Sequence, residues 1–453
     1  MKIIIIGSGP GGYHTAEYAA KNGIEVTIIE ENHVGGTCLN CGCIPTKTLC
    51  HEADIYETVT AFCGKHPETD IKAIMERKQQ VIEQLRSGVE TLMSAPGITL
   101  VKGHATIKDS HTVTVCCCDG DNGENCENKE FTADKIIIAT GSHAKLPPIK
   151  GIDNKGVVTS TELLDIDHVP QRLCIIGAGV IGMEFASIFQ SLGSEVTVVE
   201  FLKECLPALD SDIAKRLRKT MEKRGITFHM QSAVSEITAT DNGLNVCCER
   251  KGKTLSIDAD TVLIATGRAA NTDGIGLENV GIEFNPKGIQ TDENMQTSLN
   301  DVYAIGDVNG RMMLAHAASA QGVKCINHIL GKKDDINLNI MPSAVFTTPE
   351  AGGVGLTEDA CREKGIGFKA SKAFYRANGK ALAMNASEGM VKLLSDESGK
   401  IIGCHVYGAH AADIVQEATA LMHFGGTLND LHDIIHTHPT LGEILQDSGK
   451  AGL

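Results

Sequence analysis

The chain has 453 residues, which is too long for one hydrophobic core, so roughly two or three domains are expected. Its 42% hydrophobic and 22% charged residues are typical of a globular protein. The formal net charge of −16 at pH 7 argues against nucleic acid as a partner, because so negative a surface repels phosphate backbones.

The N-terminal apolar run covers residues 3–6 and ends in glycines. A secretory signal needs an apolar core of roughly 7–15 residues, so this run predicts a buried parallel strand instead. No other stretch approaches the roughly 20 apolar residues of a membrane span. The expected location is the cytoplasm.

Residues 2–30 and 173–200 repeat each other. In each segment an apolar strand meets G-x-G-x-x-G, followed by an amphipathic helix, a second strand and a final glutamate, Glu30 or Glu200. The glycines are Gly7, Gly9 and Gly12 in the first copy and Gly177, Gly179 and Gly182 in the second.

The chemistry of a dinucleotide explains this spacing. The first glycine makes a tight turn, the second lets backbone approach a pyrophosphate, and the third allows close helix–strand packing. The final acid accepts hydrogen bonds from a ribose diol. A single G-x-G-x-x-G could be an ordinary glycine turn, but two copies with the acid in register predict two dinucleotide sites. Phe201 and Leu202 follow Glu200 without an arginine pair, which favours NAD over NADP at the second site.

The segment "GGTCLNCGCIPTK", residues 35–47, carries three cysteines. Pro45 is acceptable in a first helical turn, so a helix is expected to begin near Cys43. Cys43 and Lys47 would share a face of that helix, and a cysteine at a helix N-terminus near a lysine persists as thiolate. Cys38 is expected in a glycine-rich turn before the helix, where it can meet an incoming disulfide.

Two other cysteine pairings are weaker. A Cys41–Cys43 bridge would close a strained small ring. A Cys38–Cys41 bridge would place its C-x-x-C before the helix, unlike a thioredoxin-type motif. The spacing therefore favours Cys38 with Cys43 and leaves Cys41 as a bystander.

No metal site is predicted. The chain has 16 cysteines, but the C-x-x-C at 38–41 has no second C-x-x-C at zinc-site spacing. The run 116–118 lies on a predicted strand, where neighbouring side chains point to opposite faces. Most other cysteines are expected to be small apolar fillers.

Between these motifs the sequence predicts a helix over 70–93 and an exposed hairpin turn over 119–130. Strands at 135–142 and 261–268 each run into Ala-Thr-Gly. The proline- and glycine-containing segment 141–153 is expected to be a linker.

The segment "HTHPTLGE", residues 436–443, brings histidine and glutamate together across a proline turn. Thiol–disulfide exchange needs a base that takes and returns a proton, and imidazole titrates in the right range. A carboxylate on the other ring nitrogen would fix the tautomer. On its own, such a pair is more often an ordinary surface hydrogen bond.

Segment 35–47 resembles the redox-active disulfide signature of the FAD-dependent pyridine nucleotide–disulfide oxidoreductases. It departs from the family at Cys41, where valine is typical, and at Thr46, where serine is common. "GSGPGGY" (7–13) resembles the FAD pyrophosphate loop, "DVYAIGDV" (301–308) the second FAD motif, and "HTHPTLGE" the C-terminal active-site segment. The resemblance covers nearly the whole chain.

The resemblance implies an α/β fold with two Rossmann-like dinucleotide-binding domains, for FAD and NAD, and a C-terminal α+β dimerisation domain. The FAD-binding domain would be discontinuous, at 1–148 and 269–335. The NAD-binding domain would span 149–268 and the interface domain 336–453.

In this family pattern Cys43 is the thiol against the flavin and Cys38 the thiol that exchanges with substrate. Lys47 would lie near the flavin N5 edge, with Glu184 as its ion-pair partner. An unpaired buried lysine or glutamate would be costly, which agrees with such a pair.

The C-terminal motif makes His438 the base and Glu443 the residue that orients it, with His436 as a structural alternative. The family pattern implies that this histidine reaches the disulfide of the partner subunit. The active site would then exist only in a homodimer.

The same pattern implies two sets of cofactor-binding residues. Those for FAD are Gly7, Gly9, Pro10, Gly12, Glu30, Gly36, Thr37, Lys47, Ala105, Thr140, Gly141, Ser142, Gly306, Asp307 and Ala315. Those for NAD are Gly177, Gly179, Val180, Ile181, Gly182, Glu200, Val234, Ala265 and Gly267.

The implied reaction oxidises a protein-bound dihydrolipoyl group through a Cys38–Cys43 disulfide and FAD, and reduces NAD⁺ to NADH. The partner would be a lipoylated carrier protein of a 2-oxoacid dehydrogenase or glycine cleavage complex. A glutathione reductase-like enzyme is the nearest alternative, against which Glu200 and Leu441 weigh. The tail 446–453 lacks the cysteine pair of mercuric and large thioredoxin reductases. A non-catalytic FAD redox sensor would need neither cysteine pair nor histidine base.

Overall fold

The computed structural model describes residues 1–118 and 126–453. These residues form two compact units. The first comprises Met1–Thr48, Met75–Lys145 and Gly267–Leu338, and the second comprises Leu49–Ile74, Leu146–Thr266 and Asn339–Leu453. The finer domain boundaries expected from the sequence, after residues 148, 268 and 335, stay predictions.

The strands follow in chain order. The first nine are β1 (Lys2–Ile6), β2 (Glu25–Glu30), β3 (Ile98–Lys102), β4 (His104–Ile107), β5 (Thr112–Cys118), β6 (Cys126–Thr132), β7 (Lys135–Ile138), β8 (Ser142–Ala144) and β9 (Val157–Val158). The next eight are β10 (Arg172–Ile176), β11 (Glu195–Glu200), β12 (Thr227–Met230), β13 (Ala233–Thr240), β14 (Gly243–Arg250), β15 (Lys253–Ala259), β16 (Thr261–Ile264) and β17 (Arg268–Ala270). The remaining strands are β18 (Phe284–Asn285), β19 (Gly288–Ile289), β20 (Val302–Ala304), β21 (Ser343–Val345), β22 (Ala351–Gly355), β23 (Lys369–Phe374), β24 (Met390–Ser395) and β25 (Ile401–Tyr407).

The helices lie between these strands or follow the last of them. Those before residue 200 are α1 (Pro10–Lys21), α2 (Gly36–Cys41), α3 (Cys43–Cys63), α4 (Ile71–Met93), α5 (Ser160–Leu163) and α6 (Val180–Ser191). Those after it are α7 (Ser211–Lys223), α8 (Leu277–Val280), α9 (Ala315–Ile329), α10 (Glu358–Lys364), α11 (Gly379–Ala383), α12 (Ala411–His423), α13 (Leu428–Asp433) and α14 (Glu443–Lys450). Short 3₁₀ turns cover Gly306–Asn309 and Tyr375–Ala377.

The first unit is built on a parallel sheet of order β20-β7-β1-β2-β3. The isoleucines of β1 are buried, as expected for a central parallel strand covered on both faces. Because parallel strands end at the same edge, the segments after β1, β7 and β20 meet there. The predicted N-terminal strand is therefore confirmed.

The second unit contains the repeat of this sheet, in the order β12-β11-β10-β16-β9, again parallel throughout. In it β10 takes the central place of β1, and β11 and β16 flank it as β2 and β7 flank β1. A separate antiparallel sheet of order β21-β22-β25-β24-β23 belongs to the same unit. Its core includes residues of β24, β25, α12 and α14.

Three sequence predictions between the motifs have different outcomes. The helix predicted over 70–93 is confirmed as α4. The predicted hairpin turn at 119–130 lies partly outside the described residues, and its end, 126–130, is strand in β6. The linker predicted over 141–153 is wrong at its start, because Ser142–Ala144 pairs with Arg268–Ala270 as β8 and β17. That partner lies more than a hundred residues away, so local composition could not reveal it.

Candidate active site

The cysteine-containing segment 35–47 is more helical than the sequence indicated. The helix predicted near Cys43 is confirmed, since α3 begins at that residue. The turn predicted for Cys38 is wrong, because Cys38 lies inside the six-residue helix α2. Within α2, Asn40 Nδ2 donates to the Gly36 carbonyl at 2.9 Å and its Oδ1 accepts from Arg86 Nε at 2.9 Å, so a contact with α4 that is distant in sequence holds this segment.

Cys38 and Cys43 form one interacting pair. Both side chains are thiols in the structure. A side-chain hydrogen bond with Cys43, together with burial, raises the pKa of Cys38, and the charge of Lys47 opposes this shift. The structure therefore brings together the two cysteines that the spacing favoured, with Lys47 within electrostatic reach.

Tyr13, which was not among the predicted site residues, lies within electrostatic reach of the two cysteines. Its backbone N–H donates to the Gly9 carbonyl at 2.9 Å in the first turn of α1. Burial raises the pKa of the Tyr13 phenol, and the charges of Cys38 and Cys43 add to that rise. The only signal for it in the sequence is its place directly after the last glycine of the first motif.

The backbone around the first glycine motif is too closely packed to accept a Cβ at two positions. A Cβ on Gly12 would lie 1.9 Å from the Gly7 carbonyl oxygen, and one on Gly36 would lie 2.6 Å from the Gly9 Cα. Pro10 occupies the first turn of α1. Only glycine fits at these two positions, and this close backbone packing at the start of α1 is typical of a loop that binds the pyrophosphate of a dinucleotide, here FAD.

Glu30 closes this site at the end of β2. Its Oε2 accepts hydrogen bonds from the Ser8 backbone N–H at 2.8 Å and from the Ser8 hydroxyl at 2.7 Å. Its Oε1 accepts from the Asn32 N–H at 2.8 Å. The carboxylate is thus held beside the glycine loop, where a ribose diol could donate to it.

The second FAD motif meets the end of β7. The Ser142 hydroxyl donates to Asp307 Oδ2, and Arg268 Nε donates to the same hydroxyl at 2.7 Å. The Gly306 N–H donates to Gln321 Oε1 at 2.7 Å. Asp307 and Ser142, both predicted, therefore share one network, to which Arg268 and Gln321 are additions that sequence reasoning missed.

The other predicted FAD residues lie in the same unit. Thr140 Oγ1 donates to the Asn271 carbonyl at 2.8 Å, and Gly141 has a left-handed φ of 74°. Ala105 is buried in β4, Thr37 lies in α2, and Ala315 is the first residue of α9.

The second glycine motif repeats the first. A Cβ on Gly182 would lie 2.0 Å from the Gly177 carbonyl oxygen, while one on Gly179 would have no atom of residues 1–118 or 126–453 within 4 Å. Val180 and Ile181 form the first turn of α6, and the Val180 side chain is exposed. The space beside Gly179 fits a pyrophosphate that approaches the backbone closely.

Glu200 holds the place that Glu30 has in the first copy. It is buried, and its carboxylate accepts from the Ala178 N–H at 2.6 Å and the Leu202 N–H at 2.7 Å. Ala265 follows the neighbouring strand β16, and Val234 lies in β13. Gly267, also predicted for NAD, is assigned to the first unit.

Lys47 and Glu184 belong to different units. Glu184 is buried in α6, where its Oε1 accepts from the Phe346 N–H at 3.0 Å. The ion pair between the two residues stays a prediction.

His438 and Glu443 are in contact. The Nδ1 of His438 lies 2.9 Å from Glu443 Oε1, and Glu443 Oε2 accepts from the Thr440 N–H at 2.8 Å. These two bonds, that from Thr440 first, lower the pKa of Glu443. The His438 side chain is 79% exposed within the chain, although its Nδ1 is engaged.

His436 differs from its neighbour. Its side chain is 8% exposed, and its Nε2 lies 2.9 Å from Glu417 Oε1. This burial agrees with the structural role that the sequence analysis allowed for it.

Over 1–118 and 126–453, no group of three or more histidine, cysteine, aspartate or glutamate side chains could hold a metal ion. Within the same ranges, no helix has the length and apolar character needed to cross a bilayer.

Comparison with known proteins gives full-length matches. Residues 1–322 match the pyridine nucleotide-disulphide oxidoreductase family, and residues 341–448 match its dimerisation domain. A relative named dihydrolipoyl dehydrogenase, from Haloferax volcanii, is 38% identical over 100% of this chain and 96% of its own length.

Two solved structures are similar over 99% of this chain. LpdA from Mycobacterium tuberculosis is 26% identical with a TM-score of 0.91, and 99% of it is covered. The HOCl-induced flavoprotein disulfide reductase RclA from Escherichia coli is 31% identical with a TM-score of 0.87, and 99% of it is covered.

These matches confirm the fold class and the enzyme class predicted from the sequence, together with FAD and NAD as the cofactors. The match to the dimerisation domain indicates a homodimer. The chain therefore belongs to the pyridine nucleotide-disulphide oxidoreductase family, as an enzyme of the flavoprotein disulfide oxidoreductase type.

Proposed function

We propose that this enzyme oxidises protein-bound dihydrolipoamide and reduces NAD⁺ to NADH, the reaction of a dihydrolipoyl dehydrogenase. The observation that carries the proposal is the contact between the Cys38 and Cys43 thiols at the start of α3. The relative from Haloferax volcanii, matched over the whole chain, supports the choice of substrate.

The thiol chemistry runs through Cys38. His438 takes the proton of one substrate thiol, and the resulting thiolate attacks the Cys38 sulfur of the Cys38–Cys43 disulfide. The disulfide breaks, and Cys43 leaves as thiolate. The second substrate thiol then attacks the substrate sulfur of the mixed disulfide. The Cys38 sulfur leaves with the proton that His438 holds, and His438 takes the proton of the second thiol. This releases the cyclic lipoyl disulfide, returns Cys38 as a thiol, and leaves two electrons on the cysteine pair.

The remaining residues position and tune this pair. Glu443, bound to Nδ1 of His438, leaves Nε2 as the nitrogen that exchanges the proton. Beside Cys43, a bound FAD would supply the two-electron chemistry that links the thiolate to hydride transfer to NAD⁺. Lys47, which already acts on the Cys38 thiol electrostatically, would pair with Glu184 and tune the potential. A change of about 30 mV corresponds to about 1.4 kcal/mol for such a couple.

We further propose that the base acts across the dimer. His438 is 79% exposed within its own chain, as suits a side chain that reaches the Cys38–Cys43 pair of the partner subunit. The lipoyl group would arrive on a carrier protein of a 2-oxoacid dehydrogenase or glycine cleavage complex. The cytoplasmic location stays a prediction from the sequence.

Anaerobic mixing with dihydrolipoamide and NAD⁺ tests the reaction. The expected result is NADH formation that Cys43→Ser abolishes, because the sulfur facing the cofactor is gone. A Cys41→Val variant, which restores the residue typical of the family, is the matched control and should remain active. Turnover of glutathione disulfide with NADPH, and none with dihydrolipoamide, would contradict the proposal and favour a glutathione reductase-like enzyme.

A mixed dimer tests the shared site. The Cys43→Ser and His438→Ala chains, each inactive as a homodimer, should form a heterodimer with one working site. Its turnover per dimer should be about half that of the unmodified dimer, which has two sites. The measurement is turnover of the purified, doubly tagged heterodimer. Activity at the background of either parent homodimer would show that each chain uses its own histidine.

A further inference from the structure

An ion triad with a buried lysine–aspartate pair lies outside the residues assigned to thiol exchange and dinucleotide binding. Lys392, on β24, contacts Asp210 Oδ1 at 2.8 Å, Asp210 Oδ2 at 2.9 Å and Glu358 Oε2 at 2.6 Å. The Lys392 and Asp210 side chains are 1% and 0% exposed. Charges so deeply buried are retained only when their partners are well placed, and removing one partner strands the other.

Asp210 terminates the loop that follows Glu200. Its Oδ1 caps α7 by accepting from the Asp212 N–H at 3.1 Å, and its Oδ2 accepts from the Glu358 N–H at 3.1 Å. Four residues earlier, Leu206 has a left-handed φ of 49°. The Leu209 N–H donates to the Leu206 carbonyl at 2.9 Å, so the segment from Leu206 to Asp210 is one tight turn.

That turn is bonded directly to the nucleotide loop. The Leu206 N–H donates to the Ala178 carbonyl at 2.9 Å, and the Ala178 N–H donates to Glu200 Oε2 at 2.6 Å. Ala178 stands between Gly177 and Gly179 of the second glycine motif. A continuous set of short contacts thus joins Lys392 to Glu200, the acid predicted to bind the ribose.

A second ion pair joins α7 to the antiparallel sheet that contains β24, but its two side chains are partly exposed. Lys372 Nζ, on β23, lies 2.7 Å from Asp212 Oδ2 in the first turn of α7, and the two side chains are 35% and 29% exposed. Solvent screens such a pair, so its loss should change little. It provides a matched control for Lys392.

We propose that Lys392 is a positioning residue for NAD, because it fixes Asp210 and through it the Leu206 turn against the second glycine motif. The dimerisation-domain sheet thereby sets the geometry of the ribose and pyrophosphate subsites. The inference rests on the NAD assignment and not on the thiol substrate.

Calorimetric titration of the holoenzyme dimer with ADP-ribose, which carries the ribose and pyrophosphate of NAD but no nicotinamide, tests this directly. Lys392→Met should raise the Kd of ADP-ribose about tenfold, within the range that coupling through packed networks gives. FAD content should be unchanged, and Lys372→Met should keep the Kd of the unmodified enzyme. The KM for NAD⁺ should rise with the Kd while kcat at saturating NAD⁺ changes little.

If Lys392→Met does not fold, two further variants test whether loss of the triad raises the Kd of ADP-ribose. Asp210→Asn combined with Lys392→Met removes both buried charges and keeps a capping side chain at 210, and Glu358→Gln removes only the partly exposed partner. Either should raise the Kd. A folded variant with a lower Tm and an unchanged Kd for ADP-ribose would assign the triad to stability alone and overturn the proposal. No thiol substrate is used, so the result stands whether or not dihydrolipoamide is oxidised.

Discussion

The two glycine motifs have nearly the same backbone but different surroundings. At Gly7 and Gly177 a Cβ would lie 2.4 Å from a strand carbonyl in both copies. The second glycines differ, because the Gly36 Cα at the start of α2 lies 3.9 Å from the Cβ position of Gly9, whereas no atom of the described residues lies within 4 Å of the Cβ position of Gly179. The first loop is covered by the helix that carries Cys38, and the second is open.

The terminal acids Glu30 and Glu200 also differ, because Glu30 accepts more hydrogen bonds from its own glycine motif. Glu30 is bonded by both the N–H and the hydroxyl of Ser8, and the residue equivalent to Ser8 in the second copy is Ala178, which offers only its N–H. The first site therefore has one more internal hydrogen bond and a protein cover. This difference suits a cofactor that stays bound at the first site and one that exchanges in each turnover at the second.

The largest expected effect comes from the third glycine of each motif. Gly12→Ala would force a Cβ to 1.9 Å from the Gly7 carbonyl oxygen, and we expect loss of FAD and of all turnover. Gly182→Ala, with 2.0 Å to the Gly177 carbonyl oxygen, should keep FAD but lower NADH formation by at least about a hundredfold. Released flavin and NADH formation are the measurements. FAD loss from Gly182→Ala would contradict the assignment of the two sites.

The cover over the first loop gives an intermediate effect. Gly36→Ala meets the Gly9 Cα at 2.6 Å, and its left-handed φ alone costs about 1–2 kcal/mol. Lower Tm and weaker FAD retention are expected together. Gly179→Ala should leave Tm and FAD content unchanged while raising the KM for NAD⁺, because the added methyl meets only the approaching pyrophosphate. Equal loss of Tm in both variants would remove the distinction between a covered and an open loop.

The smallest effect should come from exchanging Ser8 and Ala178, the residues between the first two glycines of each motif, which bond the acids Glu30 and Glu200. Ser8→Ala gives the first module the single bond of the second, and we expect a loss of about 1 kcal/mol in the free energy of unfolding of the FAD-bound enzyme. NAD⁺ affinity should not change. Denaturant titration with flavin fluorescence measures the first quantity, and Ala178→Ser is the reciprocal variant. A loss of NAD⁺ affinity in Ser8→Ala would mean that the hydroxyl acts beyond Glu30.

Local pattern determined the dinucleotide modules of this protein. The isoleucines of β1, the glycine spacing and the terminal acids Glu30 and Glu200 are set by rules of strand burial and backbone approach that act within about thirty residues. The start of α3 at Cys43 and the contact of His438 with Glu443 were likewise predictable, because both depend on neighbours in the chain.

Tertiary structure decided what local pattern could not. The helix that contains Cys38 is bonded through Asn40 to Arg86 of α4, and Ser142 is in a strand because Arg268–Ala270 pairs with it. Lys392 meets Asp210 across 182 residues of chain. Each of these depends on which side chains long-range packing brings together. A sequence pattern records the preference of a residue for its local conformation, and it does not record the partner that burial will supply.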